Sequence, residues 1–201
     1  NDSHVVLSIP NHLNFIKNAV KQLNIKNVFL LGSCFEYGLV SGCINENIKA
    51  SPVTKYGLAK YKLGQKLLRL SAKLNFNYTH GRLFYVYGDN QRNTIYSQLM
   101  NSINDNENEF KMSSGTQKLD YLNVNDVAEI IFKLTRYSNE SGFVNICSGK
   151  PIELWKLVSS WIKEKNSDIK LIRGALASRE HEPKSFWGDT KLLMKKIKSN
   201  K

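Results

Sequence analysis

The sequence predicts an α/β fold built on a parallel sheet, with a small C-terminal lobe. Three observations lead there. Short apolar runs alternate with stretches of ten or more residues at helical spacing, the pattern of parallel strands joined by crossover helices. No internal repeat or low-complexity tract interrupts that alternation. After about residue 88 the elements become shorter, which reads as a second lobe interleaved with the sheet. At 201 residues the chain has room for one domain, or for a core with a small appended lobe.

The elements follow in order. Residues 1–10 open on His4-Val5-Val6-Leu7-Ser8-Ile9, too short for a complete starting unit. From Asn11 to Asn24, Leu13, Ile16, Val20 and Leu23 recur at helical spacing. Val28 to Leu31 reads as a short buried strand, which places Ser33 just beyond a carboxyl end. A polar loop spans 39–52 and ends at Pro52, and a long helix runs from Val53 to about Leu74. Asn77 to Phe84 is the next buried strand, Tyr85 to Asn93 a loop, and Asn93 to Asn104 a helix. After a surface turn at 104–108, short strands at about 109–112 and 119–123 precede a helix carrying Val127, Ile130, Ile131 and Leu134. Phe143 to Cys147 is a strand, and Ser148-Gly149-Lys150-Pro151 turns it into a helix with proline at an early position. Ile169 to Ile172 is a strand, and a final helix begins near Asp189.

Composition narrows the function classes. No run approaches the eighteen apolar residues needed to span a bilayer, and no leader with a cleavage site is visible, so a cytoplasmic protein without membrane partners is expected. Cys34, Cys43 and Cys147 are few, odd in number and without CxxC or Cys/His spacing, which argues against structural zinc and a disulfide scaffold. The four histidines are scattered, so neither a metal site nor a histidine triad is expected. A net charge of +12 raises nucleic acid as a partner. The lysines, however, are spread through helices and crowd into the tail, with no basic–aromatic alternation and no arginine-rich segment. Nucleic acid is therefore not the expected partner, and the charge equally suits a diphosphate ligand or solubility.

Chemistry gathers at Gly32-Ser33-Cys34-Phe35-Glu36-Tyr37-Gly38 and Tyr56-Gly57-Leu58-Ala59-Lys60. Tyr56 and Lys60, four apart, share a helix face. If that face looks at Ser33, a hydroxyl, a phenol and an ammonium surround one pocket, a proton-transfer device for a carbonyl or alcohol. The Tyr-x-x-x-Lys pair alone is weak evidence, because nine tyrosines and 23 lysines in 201 residues give about one by chance. Its context lifts it: a strand ending in Gly-Ser upstream, and one ending in Arg82-Leu83-Phe84-Tyr85-Val86-Tyr87-Gly88 downstream. What is missing is also informative. A dinucleotide-binding sheet starts with a strand, a glycine-rich turn and a helix whose N-terminus holds pyrophosphate. None of the twelve glycines falls in GxGxxG or GxxGxxG spacing. Residues 1–10 therefore read as the remainder of a longer front end, with half of a dinucleotide site expected upstream of residue 1.

Taken together, the motifs resemble the extended short-chain dehydrogenase/reductase family, the NAD-dependent epimerases, dehydratases and reductases of nucleotide sugars. Asn14 to Ala19 resembles that family's Asn-Leu-Leu-x-Ala-Ala helix, Gly32 to Gly38 its Ser-Ser-x-x-x-Tyr-Gly, and Tyr56 to Lys60 its active-site pair. Arg82 to Gly88 resembles Arg-x-Phe-Asn-Val-Tyr-Gly. Asp120-Tyr121 to Ala128 resembles Arg-Asp-Tyr-x-x-Val-x-Asp-Val-Ala, and Asn145 to Pro151 resembles the Tyr-Asn-Ile-Gly-Ser-Gly segment. Gly32–Gly38, Arg82–Gly88 and Phe186-Trp187-Gly188-Asp189 look closest to the dTDP-6-deoxy-L-talose 4-dehydrogenases.

The resemblance implies a Rossmann-like doubly wound sheet in which residues 1–90 are the remainder of the dinucleotide-binding domain. Residues 91–201 would form the nucleotide-sugar lobe, with late sheet elements at about 119–147. It implies NAD or NADP as cofactor, a nucleoside-diphosphate sugar as substrate, and a homodimer through the long helix. The expected reaction is reduction of a 4-keto-6-deoxy sugar at C4, in the synthesis of surface-polysaccharide precursors. Ser33, Tyr56 and Lys60 would be catalytic, with Tyr56 and Lys60 also at the cofactor, Phe84 lining its pocket and Ser8 near it. Ser33, Tyr85, Arg92, Phe110, Met112, Tyr121 and Arg179 would contact substrate. Tyr85 replaces the family's asparagine, and Leu119 replaces an arginine, which implies either compensation by Lys118 or Arg92 or weaker phosphate binding. Cys34-Phe35 stands where 4,6-dehydratases carry Asp-Glu, so dehydration is disfavoured, and Cys34 reads as a partly buried residue rather than a nucleophile. Two further readings stay open: an epimerase that recycles a bound NAD, and a truncated, non-catalytic binding protein.

Overall fold

A computed structural model describes residues 9–137, 140–178 and 183–198. Helix α1 (Ile9–Leu23) leads into β1 (Asn27–Ser33), a 3₁₀ turn (Cys34–Glu36) and β2 (Gly42–Ile44). Then come α2 (Lys55–Leu74), β3 (Asn77–Leu83), β4 (Tyr85–Tyr87), α3 (Ile95–Asn104), β5 (Glu109–Lys111) and β6 (Lys118–Asn123). The chain continues through α4 (Val124–Tyr137), β7 (Gly142–Ile146), β8 (Pro151–Glu153), α5 (Leu154–Glu164), β9 (Lys170–Ile172), β10 (Ser185–Gly188) and α6 (Lys191–Lys198).

The first sheet is parallel in the order β1-β3-β7, with Ser33 beside Leu83 and Leu83 beside Ile146. The second runs β2-β10-β6-β4, all parallel, with β8 added antiparallel to β6. A third pairs β5 with β9. β3 and β4 are separated by Phe84 alone, whose N–H donates to Ile146 O (3.0 Å), so one strand path passes from the first sheet to the second. The expected parallel α/β fold is present, divided between sheets rather than continuous.

Packing explains the long helix. Thr54 caps α2 by accepting from Gly57 N (3.0 Å), and Asn75 closes it in the left-handed region at φ 54°. Its buried face carries Leu63, Gly64, Leu67 and Ser71, and Leu63 and Leu67 join Ile9, Val20, Phe76 and Tyr78 in one cluster between α1, α2 and β3. A second cluster centres on Leu99, Phe110, Met112, Val158 and Trp161 beneath the smaller lobe.

Several boundaries differ from the sequence reading, for reasons of pairing. The polar loop at 39–52 contains β2, because residues 42–44 pair with β10. The loop at 85–93 begins as β4, held by pairing with Tyr121 to Asn123. Pro151 starts a strand, not a helix: residues 151–153 pair with Lys118 to Asp120. Helix α5 begins three residues later and has no side-chain cap; Gln117 O and Gly115 O accept from Leu154 N and Trp155 N instead. β10 escaped notice because its four residues show no periodicity.

Candidate active site

Ser33 ends β1 in extended geometry and caps the 3₁₀ turn, its Oγ accepting from Phe35 N at 3.3 Å. Gly57 sets how α2 meets this turn. A β-carbon there would fall on Phe35 O, so only glycine lets the first turn of the helix lie against residues 34–36. Tyr56 is thereby carried toward Ser33, near enough for the Ser33 side chain to act on the phenol's titration. Tyr56 stays 55% exposed. One turn later, Lys60 Nζ donates to Leu31 O (2.9 Å) and lies 5.8 Å from the Tyr56 ring centroid. The expected Ser33, Tyr56 and Lys60 set is thus brought together at the carboxyl end of β1.

Burial pushes the Tyr56 phenol above its ordinary value; the Ser33 side chain pulls it down, and the charge of Glu36 pushes it up. Burial pulls the Lys60 ammonium below its usual range, against the opposing charge of Glu36.

Behind Ser33 lies a buried polar cluster. Glu36 is fully buried, and its Oε1 accepts from Ser33 N (2.9 Å) and faces His80 Nε2 (2.8 Å), while Oε2 accepts from Arg82 Nε (3.1 Å). Burial alone would raise this carboxyl, but the His80 hydrogen bond, the charges of His80 and Arg82 and the Ser33 amide hold it below its usual range. Arg82 is sandwiched between the Tyr37 and Phe143 rings at 4.4 and 4.5 Å.

From Ser33 an aromatic row leads to a cleft of about 270 Å³. Tyr56 meets Phe35 at 6.5 Å, Phe35 meets Tyr85 at 6.1 Å, and Tyr85 meets Tyr121 at 5.3 Å between ring centroids. Tyr85, Tyr121, Phe110 and Met112 all line the cleft, joined by polar Asn93, Thr94, Gln98 and Gln117. Phe110 and Met112 are also core residues, so one wall of the cleft is the hydrophobic core of the lobe.

Phe84 packs internally, stacked on Phe186 at 5.0 Å. Arg92 is exposed in the turn beside cleft-lining Asn93. Ser8 and Arg179 lie outside the described residues. Cys34 is buried at 3% exposure, more than the partial burial expected of it, and burial pushes its thiol well above the usual range, so it offers no thiolate. No helix among the described residues is long and apolar enough to cross a membrane.

The model of the NAD dependent epimerase/dehydratase family matches residues 13–147, which hold Ser33, Tyr56, Lys60 and most of the cleft. The chain belongs to that family. It is 29% identical over 189 residues to a dTDP-6-deoxy-L-talose 4-dehydrogenase (NAD(+)) of Aggregatibacter actinomycetemcomitans, covering 89% of this chain and 69% of the relative. A solved UDP-N-acetylglucosamine 4-epimerase of Methanobrevibacter ruminantium M1, in complex with UDP-N-acetylmuramic acid, superposes with a TM-score of 0.83 at 22% identity. That match covers 98% of this chain and 63% of the epimerase. RMD from Pseudomonas aeruginosa, complexed with NADPH, matches at a TM-score of 0.80 and 17% identity over 92% of this chain and 64% of its own. The expected fold class, family and NAD or NADP dependence agree with these matches.

Sequence reasoning missed the supporting members of the site. Glu36, His80 and Arg82 went unassigned, although Tyr78, His80 and Arg82 stand two apart on a buried strand and so share one face. Two potential cations on one buried face demand an anion, and that was the available signal. Gln98 and Gln117 carry no such signal, since only tertiary packing turns them into the cleft.

Proposed function

We propose that the chain carries the catalytic centre of an NAD(P)-dependent ketoreductase acting at C4 of a nucleoside-diphosphate 4-keto-6-deoxy sugar. The observation that carries this reading is the half-exposed Tyr56 phenol, one helical turn from the Lys60 ammonium that is anchored on Leu31 O beside Ser33. The resemblance to the dTDP-6-deoxy-L-talose 4-dehydrogenase narrows the sugar.

The residues fit a nicotinamide nucleotide. Lys60 gives one N–H to Leu31 O, and an ammonium has three donors, so ribose hydroxyls can be met at the ends of two parallel strands. When bound, the cofactor supplies the hydride. Ser33 holds the C4 oxygen, and Tyr56 gives that oxygen its proton. A phenol raised by burial stays protonated at neutral pH, which suits a proton donor. Lys60 stabilises the phenolate left after transfer. The sugar lies against Phe35 and Tyr85, and the nucleotide extends toward Phe110, Met112 and Tyr121, with Arg179 reserved for the diphosphate. Phe35 is an apolar ring where dehydration would need a carboxylate, and Cys34 is a buried thiol, so water loss has no acid–base pair here.

The test is consumption of NADH or NADPH by full-length protein given a dTDP-4-keto-6-deoxy hexose. Absence of turnover across several nucleoside-diphosphate carriers, with folded protein, refutes the reading. Turnover by protein purified with tightly bound NAD, without added cofactor, would favour epimerisation instead.

A further inference from the structure

We propose that Glu36, clamped by His80 and Arg82, is a positioning residue that aims the Ser33 hydroxyl at Tyr56. The proposal rests on the assignment of Ser33 and Tyr56 as reacting groups and adds an element that this assignment does not require.

The geometry comes first. Ser33 has two tethers: its amide donates to Glu36 Oε1 at 2.9 Å, and its Oγ accepts from Phe35 N at 3.3 Å. The first fixes where the backbone turns out of β1, and the second swings the hydroxyl over the 3₁₀ turn. Glu36 in turn cannot move. A carboxylate only accepts, so His80 Nε2 carries a proton toward Oε1, while His80 Nδ1 meets the Tyr78 hydroxyl at 2.7 Å. Arg82 Nε holds the other oxygen, with its guanidinium between two rings.

Room for this cluster is made from both sides. A β-carbon on Gly32 of β1 would fall on His80 Nε2 and Glu36 Oε1, and one on Gly64 of α2 would fall on the His80 ring. The groups facing Glu36 are thus His80 and Arg82 from β3 and Ser33 N from β1, with Tyr56 and Lys60 of α2 and Cys34 of the same turn within electrostatic reach. A buried charge is costly unless fully paired, and this one is paired three times directly behind the reacting hydroxyl.

Positioning and mere charge predict opposite signs for one measurement. The Ser33 side chain lowers the Tyr56 phenol, whereas the Glu36 charge raises it, and the Ser33 contribution is the larger. Removing only a charge lowers the phenol; releasing Ser33 raises it.

The experiment is a near-ultraviolet phenolate titration of full-length protein. Each variant is compared with its own Tyr56→Phe partner, so that the other tyrosines cancel. Glu36→Gln is expected to raise the Tyr56 midpoint, and to lower it in a Ser33→Ala background, where nothing is left to position. His80→Gln keeps the carboxylate and Arg82, and is expected to raise the midpoint less; it decides the matter if Glu36→Gln does not fold. An unchanged or lowered midpoint in the folded single variant overturns the proposal. In turnover, kcat should fall about 10²-fold with KM for the sugar nucleotide nearly unchanged. The titration needs no substrate. Wild-type protein that consumes no NAD(P)H therefore refutes the ketoreductase reading alone, and the midpoint still decides the role of Glu36.

Discussion

Replacing Asp120 by alanine should come close to unfolding the protein. Asp120 is fully buried at the centre of β6, and its carboxylate gathers the strands around it. Oδ1 accepts from Ser148 N at 2.7 Å and Ser148 Oγ at 2.6 Å, and Oδ2 accepts from Gly149 N at 2.9 Å and Gly188 N at 3.2 Å. One side chain thus ties β6 to the turn after β7 and to β10. Alanine strands three main-chain N–H groups, and each buried donor left unmet costs about 1–3 kcal/mol. Water entering the vacated space recovers part of this, which leaves about 3–6 kcal/mol against a typical total of about 5–15 kcal/mol. Asparagine should cost less, about 2–4 kcal/mol, because it keeps the oxygen for Ser148 and turns an amide donor against Gly149 and Gly188 only. Urea unfolding followed by tryptophan fluorescence measures both, with the midpoint falling at constant slope. An alanine variant that loses less than about 1 kcal/mol, or one no worse than asparagine, refutes the reasoning.

Four other outcomes are expected. Tyr56→Phe should lower kcat about 10²–10⁴-fold while circular dichroism and sugar-nucleotide binding stay unchanged. The reductive rate should hold through neutral pH and fall as pH rises through the raised Tyr56 value, where the proton donor is lost; a rate–pH profile that declines below neutrality contradicts this. Glu36, held below its usual range, contributes stability that is fully present above the unfolded carboxyl value and is lost as pH falls through the depressed folded value. Melting temperatures from neutral to acid pH should therefore drop less steeply in Glu36→Gln than in the parent. Gly64→Ala should cost about 1–3 kcal/mol by pressing a methyl group on His80, and a neutral urea midpoint would show that the ring has room to retreat.

Much of the framework was legible because long elements announce themselves. The α2 period and the apolar run of β1 point the same way, and the Ser33, Tyr56 and Lys60 set follows once those elements are laid side by side. Three of the five three-residue strands among the described residues did not announce themselves. β2, β4 and β8 exist because β10 and β6 offer edges to pair with, and no local propensity in Gly42–Ile44 or Pro151–Glu153 reveals that partner. Pro151 shows the trap: the same residue type opens helices and edge strands, since either position forgoes its missing N–H. The cleft residues from β4, β5 and β6 came from resemblance, and Gln98 and Gln117 became visible only when α3 and the 113–117 loop were set against β5.

The single residue between β3 and β4 works as a ruler. Ser33 is registered to Leu83 and Tyr121 to Tyr85, so Ser33 and the cleft sit two residues apart on one strand path, about 7 Å at strand rise. An insertion at Phe84 would do more than lengthen that span. It would turn each side chain of β4 to the opposite face, taking Tyr85 away from Phe35 and from the cleft together. The side chains at 35 and 85 can therefore be exchanged without disturbing this register, but the number of residues between Leu83 and Tyr85 cannot change.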